Sequence, residues 1–296
     1  MAKCVDSILM FGDSGDGKTA QIGQLAEMVY TQTGKKTRVY SGDGGGWRTI
    51  QPYVSAGIVE PVDMTQIDRP WEWLQAIVQG KIHDGTKWIV DPHLDDIGAL
   101  AYEGLTGFAD MLMADLSDKS AKGINVGGGG AFNFRDGDTV VGSNNQAHYG
   151  QVQSRLYHAV SQSQRMPVLY VVWTAMARRG QDADNLATIL GPQVCGKALT
   201  SEVPRWFVYT FRLMAVPANP TTKQKEEHRL YFHDHLAMDA AGAKGLGNDR
   251  TPLDATPLPE YIAPASIVKA LELAGAAQRE AEEKVRARIA QVRRTP

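Results

Sequence analysis

The chain has 296 residues, 43% hydrophobic and 22% charged, which supplies a sizeable core and excludes wholesale disorder. The 31 Lys and Arg against 33 Asp and Glu leave a formal charge of −2, so the whole surface is not a polycation and any nucleic-acid contact must be a local patch. The only cysteines, Cys4 and Cys195, cannot make a disulfide framework, the first ten residues lack the apolar core of a signal peptide, and no run approaches about 18 apolar residues. The expectations are a cytoplasmic protein and no membrane contact.

In chain order, Val5, Ile8, Leu9, Met10 and Phe11 form an apolar run that stops at Gly12, which predicts a buried strand entering a turn. Ile22, Leu25, Ala26 and Val29 then repeat at helical spacing until Gly34. Strands are expected at 37–40, running into Ser41-Gly42-Asp43-Gly44-Gly45-Gly46, and at 57–64, with a short helix at 71–78. Residues 87–91 read as another strand, closed by Asp91, and 94–113 read as a helix. The stretch 117–145, with glycine at every position from Gly127 to Gly130, reads as an inserted loop. A helix is expected at 146–164, and the continuous apolar run 166–173 predicts a strand in the middle of a parallel sheet, ending at Thr174. Alternating runs at 206–216 and 228–238 predict an antiparallel pair at the sheet edge. The resulting division is a core over 1–239, a Pro-rich linker over 240–263 and a C-terminal helix with a basic end over 264–296.

The chemistry is concentrated early. Gly12-Asp13-Ser14-Gly15-Asp16-Gly17-Lys18-Thr19 matches G-x-x-x-x-G-K-[ST] at every fixed position, between a strand and a helix. Glycines allow successive backbone N–H groups to point at a phosphate, and the helix start adds its positive dipole end. Lys18 would reach the β and γ oxygens of ATP, and Thr19 would ligate Mg2+. Such a site needs a carboxylate from a neighbouring strand for the metal, and Asp91 is the residue expected there. Its neighbours Pro92 and His93 offer no water-activating Glu, so that base must come from elsewhere.

These features, with Ala147-His148-Tyr149-Gly150, the run from Val168 to Thr174, Leu190-Gly191-Pro192 with Gly196-Lys197, and Val203-Pro204-Arg205-Trp206-Phe207, resemble phage-encoded RecA-like ATPases of the single-strand-annealing (Sak) group and their nucleotide-binding relatives. The resemblance spans about residues 3–213 and implies an α/β RecA-like P-loop fold, with a mostly parallel sheet flanked by helices. It implies Mg2+-dependent ATP hydrolysis on DNA, in phage recombination or replication in the host cytoplasm, by a ring or filament of copies. It also implies that Asp43 activates water, that Thr174 senses the γ-phosphate, and that Arg178, Arg179 and Lys197 lie in the segment that contacts single-stranded DNA or reaches a neighbour's ATP, with exposed solvated charges the alternative reading of those three. The tail residues Lys284, Arg286, Arg288, Arg293 and Arg294 are the other basic patch, equally readable as a solvated helix end. A nucleotide-gated loader or assembly factor is the alternative function. His233-Asp234-His235 makes a weak metal motif, and Trp47 could stack on a base or cover the core edge.

Overall fold

The computed structural model describes residues 5–42, 46–65, 67, 69–121, 146–181, 188–194, 202–218, 226–232, 244–245 and 258–292. Strand β1 (Asp6–Gly12) leads through the glycine turn into α1 (Lys18–Thr33), followed by β2 (Lys36–Ser41), α2 (Trp47–Ser55), β3 (Val59–Asp63) and α3 (Pro70–Ile77). A hairpin of β4 (Lys81–His83) and β5 (Trp88–Val90) precedes β6 (Ile97–Glu103), α4 (Leu105–Ala121) and α5 (Gln146–Ser163). The remainder is β7 (Tyr170–Gln181), β8 (Thr188–Pro192), β9 (Tyr209–Val216), β10 (Glu227–Tyr231), β11 (Lys244–Gly245), β12 (Tyr261–Ile262) and α6 (Ile267–Val292).

The main sheet runs β12-β10-β9-β1-β7-β6-β2-β3. From β9 to β3 every neighbour is parallel, while β10 and β12 extend the edge antiparallel. This is the expected class: a mostly parallel sheet, antiparallel edge strands and a C-terminal helix. Alternate residues face opposite sides of each strand. Ile8, Met10, Val39, Ala99, Ala101 and Val172 face a core shared with α1, α2 and α6. Leu9, Phe11, Tyr40, Tyr102 and Trp173 face the other core, under α3, α4 and α5.

Three differences from the sequence reading bear on the site. Residues 94–113 are not one helix: a short helical turn at Leu94–Asp96 gives way to β6, fully buried, and then to α4. The run 87–91 does not enter the sheet, because β5 pairs only with β4 in a separate hairpin. The strand expected to end at Thr174 continues as β7 to Gln181 and folds back on β8. In addition, α4 covers the first residues assigned to the inserted loop, and the supposed linker contributes β12 to the sheet. Residues 122–145 lie outside the described residues.

Tyr40, Tyr102 and Trp173, one from each of three adjacent strands, stack with ring centroids 5.2 and 4.3 Å apart. Phe108 meets the Trp173 ring edge-on at 6.0 Å, and the Trp173 indole N–H donates to Ser163 Oγ at 3.2 Å. The stack fixes β2, β6 and β7 side by side, the strands whose ends carry the residues discussed next. Trp173→Ala should lower unfolding stability by about 3–5 kcal/mol and Trp173→Phe by distinctly less, measured by urea denaturation.

Candidate functional site

The C-terminal end of β1 is held tightly before the chain turns. A Cβ on Gly12 would lie 2.6 Å from the Leu213 carbonyl oxygen and 2.8 Å from Asp16 Oδ2, so only glycine fits. Asp16 is 7% exposed and organises the turn: its Oδ2 accepts from the Asp13 N–H at 2.6 Å and its Oδ1 from the Ala215 N–H of β9 at 2.8 Å. Gly17 has φ +93°, the left-handed conformation that glycine adopts without strain, and α1 starts directly after it. Asp13, Ser14 and Gly15 are exposed at the rim. Lys18 curls back over the loop, its Nζ donating to the carbonyls of Gly12 at 2.9 Å and Asp13 at 2.7 Å, with Met176 Sδ at 3.8 Å. Hydrogen bonds thus close the predicted loop on itself and tie it to β9.

The carboxylate that meets Thr19 is Glu103, at the C-terminal end of β6, to whose Oε1 the Thr19 hydroxyl donates. Glu103 is 4% exposed. Gly46, in front of α2, leaves space for it, since a Cβ there would sit 2.5 Å from Oε2. The backbone is fixed on both sides: the Glu103 carbonyl accepts from the Gly42 N–H at 2.9 Å, and the Gly104 N–H donates to Thr174 Oγ1 at 2.9 Å. Thr174 is fully buried and braces the turn that presents Glu103.

Asp91 is elsewhere. Its Oδ2 accepts from Arg38 Nη1 and its Oδ1 from the His93 N–H at 2.8 Å. Arg38 lies two residues from Tyr40 on β2, on the sheet face opposite the one that packs against α1. Burial opposes the Arg38 charge, but Tyr40, Asp91 and Glu60 outweigh it and hold its pKa above the ordinary arginine value. The structure thus pairs the carboxylate expected at the metal with a structural guanidinium and brings Glu103 to Thr19 in its place. Sequence reading missed Glu103 because its strand was taken for helix; an acid closing the run Ile97-Gly98-Ala99-Leu100-Ala101-Tyr102 was the available signal.

Asp43 and Lys197 lie outside the described residues, as do His233, Asp234, His235, Arg293 and Arg294. Arg178 is exposed on the β7–β8 arm, where Arg178 pairs in register with Gly191 and Arg179 with Leu190. The arm continues the strand that pairs with β1 as far as Met176 opposite Gly12. On α6, Lys284 bonds Glu280 at 2.7 Å and Arg286 approaches Glu282 at 3.9 Å. Trp47 packs against the core beneath α1. Among the described residues no group of three or more His, Cys, Asp or Glu is placed to hold a metal, and no helix is long and apolar enough to cross a membrane.

Fold and loop together define an α/β protein whose P-loop sequence occupies the turn between its first strand and first helix. No family model matches the chain, and no curated protein does. Among solved structures the chain is similar to a KaiC-like protein from the hyperthermophilic archaeon Pyrococcus horikoshii, with a TM-score of 0.40 and 10% identity over 76% of this chain and 77% of that one.

Because Asp91 shares a buried guanidinium with Glu60, which stays 2.9 Å from Arg38 Nε, Asp91→Ala should cost about 1.5–3 kcal/mol of stability while leaving nucleotide affinity unchanged. Chemical denaturation alongside a nucleotide titration checks both halves.

Proposed function

We propose that this chain is a RecA-like P-loop ATPase that binds ATP with Mg2+, hydrolyses it as an assembly of identical copies, and works on DNA in phage recombination or replication. The observation that carries the reading is the meeting of the Thr19 hydroxyl and the Glu103 carboxylate beside the glycine loop. Both are hard oxygen donors, and Mg2+ commonly takes one or two protein oxygens and completes its shell with water and substrate phosphates, so the pair fits that ion. When bound, the ion neutralises charge developing on the β and γ oxygens.

The chain's own groups have separable tasks. The glycine loop receives the phosphates on backbone N–H groups, and Lys18 exchanges the Gly12 and Asp13 carbonyls for phosphate oxygens. Glu103 and Thr19 hold the metal, and Thr174 keeps Glu103 in place through Gly104. Asp43 follows Gly42, whose N–H bonds the Glu103 carbonyl, and is assigned to orient the attacking water.

For DNA, the β7–β8 arm is favoured over the tail. Arg178 is exposed on a strand continuous with Met176, which touches Lys18, whereas Lys284 and Arg286 already face acids on their own helix. Lys197 follows β8 in the sequence and is assigned to the same role.

Lys18→Ala should weaken ATP binding by about 10- to 100-fold, the value of a charge-assisted contact. Glu103→Gln should retain ATP affinity but lower Mg2+-dependent turnover by about a hundredfold or more. Arg178→Ala combined with Arg179→Ala should reduce single-stranded DNA binding and DNA-stimulated turnover together, and flatten the salt dependence of binding. ATP turnover with and without single-stranded DNA, alongside mass measurement, tests the whole reading. Unchanged turnover in Lys18→Ala would refute it, and binding without turnover would replace it with the nucleotide-gated binding module.

A further inference from the structure

Asp16 is also held through its own carbonyl, from outside the motif. His228 of β10 places Nδ1 3.1 Å from the Asp16 carbonyl oxygen, and a Cβ added to Gly17 would lie 3.6 Å from the same nitrogen, so the imidazole sits directly against the Asp16–Gly17 peptide. A carbonyl oxygen only accepts, so Nδ1 carries the hydrogen. In a trans peptide the C=O and the following N–H point in opposite directions. Fixing the Asp16 carbonyl on β10 therefore directs the Gly17 N–H away from β10, as a phosphate cradle requires. We infer that His228 is a positioning residue for the phosphate loop, setting the orientation of the Asp16–Gly17 peptide and through it the affinity for the nucleotide phosphates.

The same residue connects the loop to the C-terminal helix. The His228 carbonyl accepts from the Ala265 N–H at 2.8 Å. The Ala265 carbonyl accepts from Gln21 Nε2 at 3.1 Å, and Gln21 Oε1 accepts from the Ile267 N–H at 2.7 Å. Gln21 is 3% exposed and belongs to α1, the helix that the loop begins. Loop, α1, β10 and the start of α6 thus form one hydrogen-bonded ring, with His228 as its contact to the loop. Its neighbour Arg229 serves as a control: alternate residues of a strand face opposite sides, and Arg229 bonds Glu227 at 2.6 Å and lies over the Tyr261 ring.

The inference rests on the nucleotide-binding reading, and the test separates the two. A fluorescent ATP analogue is titrated with Mg2+ into wild type, Lys18→Ala, His228→Leu, His228→Ala, His228→Asn and Arg229→Ala, with urea denaturation of each. His228→Leu and His228→Ala remove the donor, and either suffices if the other does not fold; His228→Asn keeps an N–H near the Nδ1 position. The expected result is about tenfold weaker binding in the donor-less variants, recovery to within about threefold of wild type in His228→Asn, and no change in Arg229→Ala. Binding within about twofold of wild type in a folded donor-less variant would overturn the inference alone, as would an equal loss in His228→Asn or in Arg229→Ala. A wild-type protein that binds no nucleotide would overturn the ATPase reading and this inference with it.

Discussion

The site depends on how closely α1 lies on β6. A Cβ on Gly98 would be 2.6 Å from Val29 Cγ1, and Ala99 and Ala101 are the side chains that β6 contributes to the core beneath α1. Small residues on the strand let the helix axis approach, and interiors packed to crystal-like density transmit even a methyl group's worth of displacement. That approach sets where the first turn of α1 ends up, and hence whether the Thr19 hydroxyl meets the carboxylate that closes β6. On this view the short side chains of β6 are a requirement of the site as much as of the core.

The remaining contacts hold the two halves of the site at fixed positions from behind. Thr174 of β7 pins the turn after Glu103, while Ala215 of β9 pins the Asp16 side chain on the opposite flank of β1. The strand order places β7 between β1 and β6, so one strand end can touch Lys18 through Met176 and brace Glu103 through Thr174. All of these groups gather at the carboxyl ends of parallel strands, where open α/β sheets hold their ligands. The β7–β8 arm grows from the same edge, which gives Arg178 a covalently continuous path to the loop.

Much of this was legible in the sequence, and the failures have physical causes. The glycine loop announces itself because backbone geometry and phosphate chemistry together restrict the residues at fixed spacing. Strand β6 was hidden because the packing that α1 demands filled it with glycine and alanine, residues of poor strand propensity, so its apolar pattern merged with that of α4. The decoy was Trp88-Ile89-Val90-Asp91, which has the aromatic and β-branched composition of a buried strand but folds as a short hairpin, with Val90 exposed. Asp91 looked like a metal ligand for want of its partner, since nothing local shows that Arg38, more than fifty positions earlier, claims it. The extension of β7 past Thr174 was masked by Arg178 and Arg179, which interrupt its apolar run.

The central claim is that Thr19 and Glu103 act on one magnesium ion, and a double-mutant cycle addresses it most directly. Thr19→Val, Glu103→Gln and the double variant would be compared with wild type for ATP affinity and turnover across a Mg2+ titration, and again with the metal chelated. The account predicts that with Mg2+ the double variant loses little more than the worse single variant, and that this coupling shrinks once the metal is removed, when only the direct Thr19–Glu103 hydrogen bond joins the pair. Additive losses with Mg2+ present, or a coupling of the same size with and without it, would contradict a shared metal site.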